Sequence, residues 1–137
     1  MSTPVLDVPS HFHTFLAFDF GLKRTGVAVG NRLLRTATAQ STINAQGAAL
    51  LAEAEARVRE WQPHALVLGV PFHPDGASHE NTMRARKFAR QLRARLKLPV
   101  FEVDERYSTT EALAAGAIDP DAGAACVILE QFLRSLP

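Results

Sequence analysis

The sequence predicts an α/β fold: a mixed sheet with helices on both faces, in the order βββαβαβαα. Three observations predict it. The run from Phe12 to Phe20 is almost wholly apolar or aromatic, as a central strand covered on both sides must be. Two further β-rich stretches follow it with only short turns between. Beyond them, apolar runs and helical periodicity alternate, with prolines at several of the boundaries.

Taken in order, the first strand stops at Asp19, Phe20 and Gly21. Thr25–Gly30 and Leu33–Ile43 then complete a three-strand antiparallel meander, turning at Gly21 and Asn31. Asn44 can cap a helix running to Trp61, because Leu51, Ala54, Val58 and Trp61 recur at helical spacing. Pro63 ends it. Ala65–Val70 is an uninterrupted apolar run suited to a buried strand, and it gives way to a turn-rich segment holding His73, Asp75 and Gly76. A second helix is expected from Ser78 to Leu98, with Ala85, Phe88, Ala89, Leu92 and Leu96 on its apolar side. Val100–Val103 forms the last strand, helical sequence runs from Ser108 to Ala117, and a final helix spans Asp121 to Leu133.

The chain has 137 residues, the size of one compact domain, with residues 1–11 expected as a flexible N-terminal extension. Its 15 Lys and Arg against 14 Asp and Glu leave no global field, so affinity for a polyanion has to come from local clustering. One cysteine, Cys126, cannot close an intramolecular disulfide, which fits a reducing cytoplasm. Neither a signal peptide nor a run of about 18 apolar residues is found, so no membrane association is expected.

Acidic residues stand at three element boundaries: Asp19 on the first strand, Asp104 and Glu105 after the last, and Asp121 at the start of the final helix. Carboxylates at such positions can hold hard divalent cations, which polarise a phosphoryl group and activate water without a cysteine or histidine nucleophile. Each also has an ordinary explanation. Asp121 can be a helix cap, and Asp104 and Glu105 can solvate a turn or pair with Arg106. Asp19 differs, because a carboxylate inside an aromatic strand is costly to bury without a partner.

The segments FLAFDFGLKRTGVAVG, LVLGVPFHPDG with its following ARKFA helix, VDERYSTTEA and DAGAACVILEQFL, in that order, resemble the YqgF/RuvX family of ribonuclease H-like proteins. The resemblance spans about Phe15 to Leu133. It implies a five-stranded ribonuclease H-like sheet, with the antiparallel meander followed by two parallel strands. It also implies Mg2+ or Mn2+ dependence, a cytoplasmic location, and catalytic, metal-binding carboxylates at Asp19, Glu105 and Asp121. Family members are described as nucleases that mature the 5′ end of pre-16S rRNA and, by similarity to RuvC, as Holliday junction resolvases. The resemblance thus implies an rRNA precursor as substrate, with branched DNA as the alternative and the ribosome as a possible partner. Two departures are visible: a short connection between Glu111 and Asp121, and Ala122 where Ser commonly follows the aspartate. Asp119 is a rival carboxylate close by.

Substrate contacts are expected from Lys23 and Arg24 after the Asp19 turn, and from Arg106, Ser108 and Thr109 beside Glu105. Arg86, Arg90 and Arg93 add a basic stripe, with Lys97 continuing it at steps of four, three and four. The ordinary readings are a solvated helix face, turn solvation and helix capping. Two other functions compete. A nucleotide-binding module would use the Asp-Phe-Gly turn, yet actin-like ATPases need two such lobes and this chain has residues for one. A silent RNA-binding domain would keep the fold and use its carboxylates structurally. A monomer or a homodimer fits the sequence equally.

Overall fold

A computed structural model describes residues 8–71, 81–105 and 120–136, with positions 105 and 120–122 defined through their backbone. The elements are β1 (Thr14–Asp19), β2 (Thr25–Asn31), β3 (Thr36–Ile43), α1 (Gly47–Trp61), β4 (Ala65–Pro71), α2 (Thr82–Leu96), β5 (Val100–Glu105) and α3 (Pro120–Ser135). They form the expected mixed sheet, in the order β3-β2-β1-β4-β5. β1 runs antiparallel to β2 and parallel to β4, and β4 runs parallel to β5.

Strand alternation sorts the apolar residues into two cores. Leu16 and Phe18 of β1 and Leu66 and Leu68 of β4 face α1 and α2, packing on Leu50, Ala54, Phe88, Ala89 and Leu92. Phe15 and Ala17, with Ala65 and Val67, face α3 and meet Ala125, Ile128, Leu129, Phe132 and Leu133. β1 and β4 are therefore covered on both sides, which is why their sequences are continuously apolar.

α3 sits close because Gly30 makes room for it: a Cβ there would lie 2.8 Å from Leu129 Cδ2 and 2.8 Å from the Thr36 carbonyl oxygen. Arg35 fixes the far end of the helix. Its Nη1 donates to the carbonyls of Leu133 at 3.1 Å and Leu136 at 2.8 Å, supplying a cation and partners to a helix C-terminus. The Thr82 hydroxyl, fully buried, donates to the Pro71 carbonyl and so ties the start of α2 to the end of β4.

Several expected boundaries shift. Asn44 is not the cap of α1: Ala45 first packs on the core, and Gln46 takes the cap position without a side-chain bond. Trp61 is 37% exposed and lies outside the core, whose α1 contacts come from Leu50 and Ala54, with Leu51 and Val58 partly buried. Leu33 and Leu34 belong to an exposed turn, held by the Asn31 side chain accepting from Leu33 N. α2 ends at Leu96, because Lys97 turns left-handed at φ 56°. β5 extends two residues past Val103, pairing as far as Glu105 with Pro71. Residues 8 to 11 are anchored, with Val8 against the α3-side core and Arg32 donating to the Pro9 carbonyl. The helix expected at Ser108–Ala117 and its proposed neighbours lie outside the described residues. No helix among the described residues is long and apolar enough to cross a membrane.

Candidate functional site

Alternation along β1 puts Asp19 on the α3 face, after Phe15 and Ala17, at the C-terminal rim of the sheet. Its registered neighbours are Gly26 on β2 and Gly69 on β4. Paired residues share a face, so both strand positions beside Asp19 lack a side chain of their own. Asp19 itself is half-buried and makes a polar contact within the protein.

The other two carboxylate positions reach the same rim through their backbones. Phe132 of α3 packs its ring against both Phe15 and Phe101, with centroids 5.3 and 5.4 Å away. From Phe15 to Asp19, and from Phe101 to Glu105, is four strand residues, about 13 Å. From Phe132 back to Asp121 is eleven helical residues, about 16 Å. Because Arg35 and Gly30 hold the C-terminal half of α3 at the opposite end of the sheet, the helix runs antiparallel to β1 and its first turn points to the rim. Position 105 also continues the alternation of Phe101 and Val103, both on the α3-side core. Asp104 belongs to the opposite alternation, with Val100 and Glu102, and this separates it from Asp19.

Lys23 and Arg24 lie exposed on the β1–β2 turn at this rim. The turn is tight: a Cβ on Gly21 would fall 2.4 Å from the Arg24 carbonyl oxygen. On α2 the expected stripe divides. Arg86 pairs with Glu102 at 3.5 Å, while Arg93 reaches Glu102 at 3.1 Å and the Val100 carbonyl at 2.6 Å, so both are tied to β5. Arg90 is exposed and makes no ion pair with a described residue. Arg106, Ser108, Thr109, Asp119 and His73 lie outside the described residues. Among the described residues, no group of three His, Cys, Asp or Glu is arranged to hold a metal.

Sequence reasoning missed a groove of about 270 Å³ beside the rim, on the α1/α2 face. Phe20, next to Asp19, forms its floor with Phe88, and Arg84, Lys87 and Gln91 line its α2 wall. Positions 84, 87, 88 and 91 have the i, i+3, i+4, i+7 spacing that marks one helix face. That spacing was the signal available in the sequence. Away from the rim, burial and the Glu130 charge push the Cys126 thiol above its usual pKa, leaving it a weak nucleophile.

A family model described as "RuvX: Holliday junction resolvase" matches residues 13–135. A protein of Polaromonas sp. strain JS666 is 76% identical over 124 residues, covering 90% of each chain. One from Albidiferax ferrireducens is 70% identical over 129 residues, covering 94% of this chain and 83% of its own. Both carry the name "Putative pre-16S rRNA nuclease". Among solved structures, Thermus thermophilus RuvC in complex with Holliday junction substrate aligns with a TM-score of 0.59 at 11% identity, covering 89% of this chain and 94% of that one. This last likeness shows a shared fold. With the matched segment running from β1 through α3, and relatives this similar along nearly their whole length, the chain belongs to the RuvX family.

Proposed function

We propose that this chain is a nuclease that hydrolyses phosphodiester bonds with a divalent cation, Mg2+ or Mn2+, and that its substrate is the 5′ end of pre-16S rRNA. The observation that carries the reading is Asp19 between two glycines, on the rim that the backbone positions of Glu105 and Asp121 also reach. The donor set fits such an ion, since three carboxylates offer only hard oxygen ligands. The chemistry it supplies is polarisation of the phosphoryl oxygen and activation of water. Asp19, Glu105 and Asp121 are the residues that would hold it.

Lys23, Arg24 and Arg90 are assigned to phosphate contacts, as are Arg106, Ser108 and Thr109 beside Glu105. They would fix the register of the strand without reading bases. Arg86 and Arg93 enter as residues that steady β5 beneath that surface, through Glu102. The names carried by the close relatives support the rRNA substrate, and the activity would then be cytoplasmic, with the assembling ribosome as partner. The family description supports a second reading, cleavage of four-way DNA junctions.

One experiment separates these. Labelled precursor 16S 5′-end RNA and a four-way DNA junction are incubated with Mg2+, with Mn2+ or with a chelator, using the wild type and Asp19→Asn. Metal-dependent RNA cutting that Asp19→Asn lowers by two or more orders of magnitude, with unchanged thermal stability, is the expected result. Paired nicks in the junction alone would establish the resolvase reading. Failure to cut either substrate would remove the nuclease reading.

A further inference from the structure

The groove beside Asp19 combines two features that the rim carboxylates do not explain. Its floor is aromatic: the Phe20 and Phe88 rings are tilted 40° with centroids 5.4 Å apart, Phe88 is buried, and Phe20 is half-buried against the core with part of its surface on the groove. Its α2 wall is cationic, with Arg84 and Lys87 both exposed and no acidic residue among the described residues that line the groove. Arg84 is steadied by the Asn81 side chain at 3.3 Å, and Lys87 makes no ion pair with a described residue. Phe20 follows Asp19 directly and, by alternation, faces the other side of the sheet.

We propose that this groove is a nucleotide subsite that takes the unpaired base next to the scissile phosphate, stacked on Phe20, with the adjoining phosphate held by Arg84 and Lys87. A strand crossing the sheet rim from the α3 side meets Asp19 first and Phe20 next, so cleavage is directed to single-stranded or frayed positions. Charge favours this occupant: the wall is positive, and a nucleic-acid strand brings one phosphate per nucleotide with a flat apolar base. A duplex cannot enter, because its bases are already stacked. The inference rests on the nuclease reading and specifies the form of its substrate.

The test is binding without cleavage, in chelator, by fluorescence anisotropy. The probes are a short unpaired oligonucleotide in RNA and DNA versions, its duplex, and polyglutamate as an acidic competitor. The unpaired strand should bind more tightly than the duplex, and whichever version binds better identifies the source of the strand. Phe20→Leu should weaken the strand about tenfold and leave the duplex unchanged, with its fold checked by thermal unfolding. Arg84→Ala and Lys87→Ala should each reduce the slope of log affinity against log salt by about 0.7. Unchanged strand affinity in a folded Phe20→Leu protein would overturn the subsite, as would equal displacement by polyglutamate. If those results came from a wild type that still cuts RNA through Asp19, the subsite alone fails. A wild type that neither binds nor cuts removes the nuclease reading with it.

Discussion

The two ends of the sheet treat their polar side chains differently. At the end where β1 begins, His64, Arg32 and Arg35 are committed to the backbone. His64 Nδ1 accepts from His13 N at 3.1 Å and Thr14 N at 3.2 Å, Arg32 reaches the Pro9 carbonyl at 3.0 Å, and Arg35 closes the C-terminus of α3. At the end where β1 finishes, the side chains project. Lys23, Arg84 and Lys87 are exposed, and Asp19 stands between two residues that have no side chain. The first end holds the chain together, and the second is arranged to meet something else. The lesson is that a polar residue's role here is read from whether a backbone group already answers it.

Filling the position beside Asp19 should damage function beyond what the loss of folded protein accounts for. Gly69→Val places a branched side chain in the register position beside Asp19, where a strand otherwise tolerates valine well. Gly69 is buried in a central strand, so the added volume costs about 1–3 kcal/mol by urea denaturation, and cleavage by the folded fraction should still fall about a hundredfold, since small displacements at a reacting centre are costly. A folded Gly69→Val protein of full activity would mean that the missing side chain beside Asp19 is incidental.

The closed end should show the reverse. Gly30→Ala puts a Cβ against the Thr36 carbonyl, a backbone atom that cannot step aside, and against Leu129. Overpacking of this kind costs about 1–3 kcal/mol, outweighing the roughly 0.4–1 kcal/mol gained from a stiffer unfolded chain. Arg35→Ala removes both hydrogen bonds to the end of α3 and a favourable helix-terminal charge, a loss of about 1–2 kcal/mol by the same denaturation measurement. Neither should lower the cleavage rate of the folded fraction.

The smallest effect sharpens the comparison at its boundary. Glu102 answers both Arg86 and Arg93, with about a third of its own side chain exposed. Glu102→Gln should change stability by less than about 1 kcal/mol, because partly exposed pairs are weak. Nucleic-acid affinity at low salt should nonetheless rise, as one negative charge is removed from beside two guanidinium groups. Unchanged affinity would show that this flank of α2 is structural.

Much of this was legible in the sequence, and for identifiable reasons. β1 and β4 announce themselves because strands buried on both faces must be apolar throughout, and the proline punctuation fixes where helices stop. Asp19 was visible as the one charge inside such a run. Its glycine neighbours were not, because they depend on β1 registering with Gly69, 50 residues further along the chain. The division of the basic stripe was hidden for the same reason: Glu102 lies on a different strand, and helical periodicity cannot report a partner outside the helix. Trp61 misled because it fits the α1 spacing yet sits at the helix's last residue, beyond the packed core.

The sheet has two margins, and they are defended unequally. β5 carries the charged residues Glu102, Asp104 and Glu105, with Glu102 paired to Arg86 and Arg93, and a charged edge strand is a poor template for another strand. β3, with the sequence TATAQSTI, has no charge and no proline; among the described residues, Arg57 reaches Ser41 at 3.1 Å and Glu130 accepts from Ala37 N at 3.2 Å. Colloidal behaviour is therefore set at β3: as concentration rises, association should begin by strand addition along this margin, and a single lysine at an outward position such as Thr38 or Ser41 should suppress it.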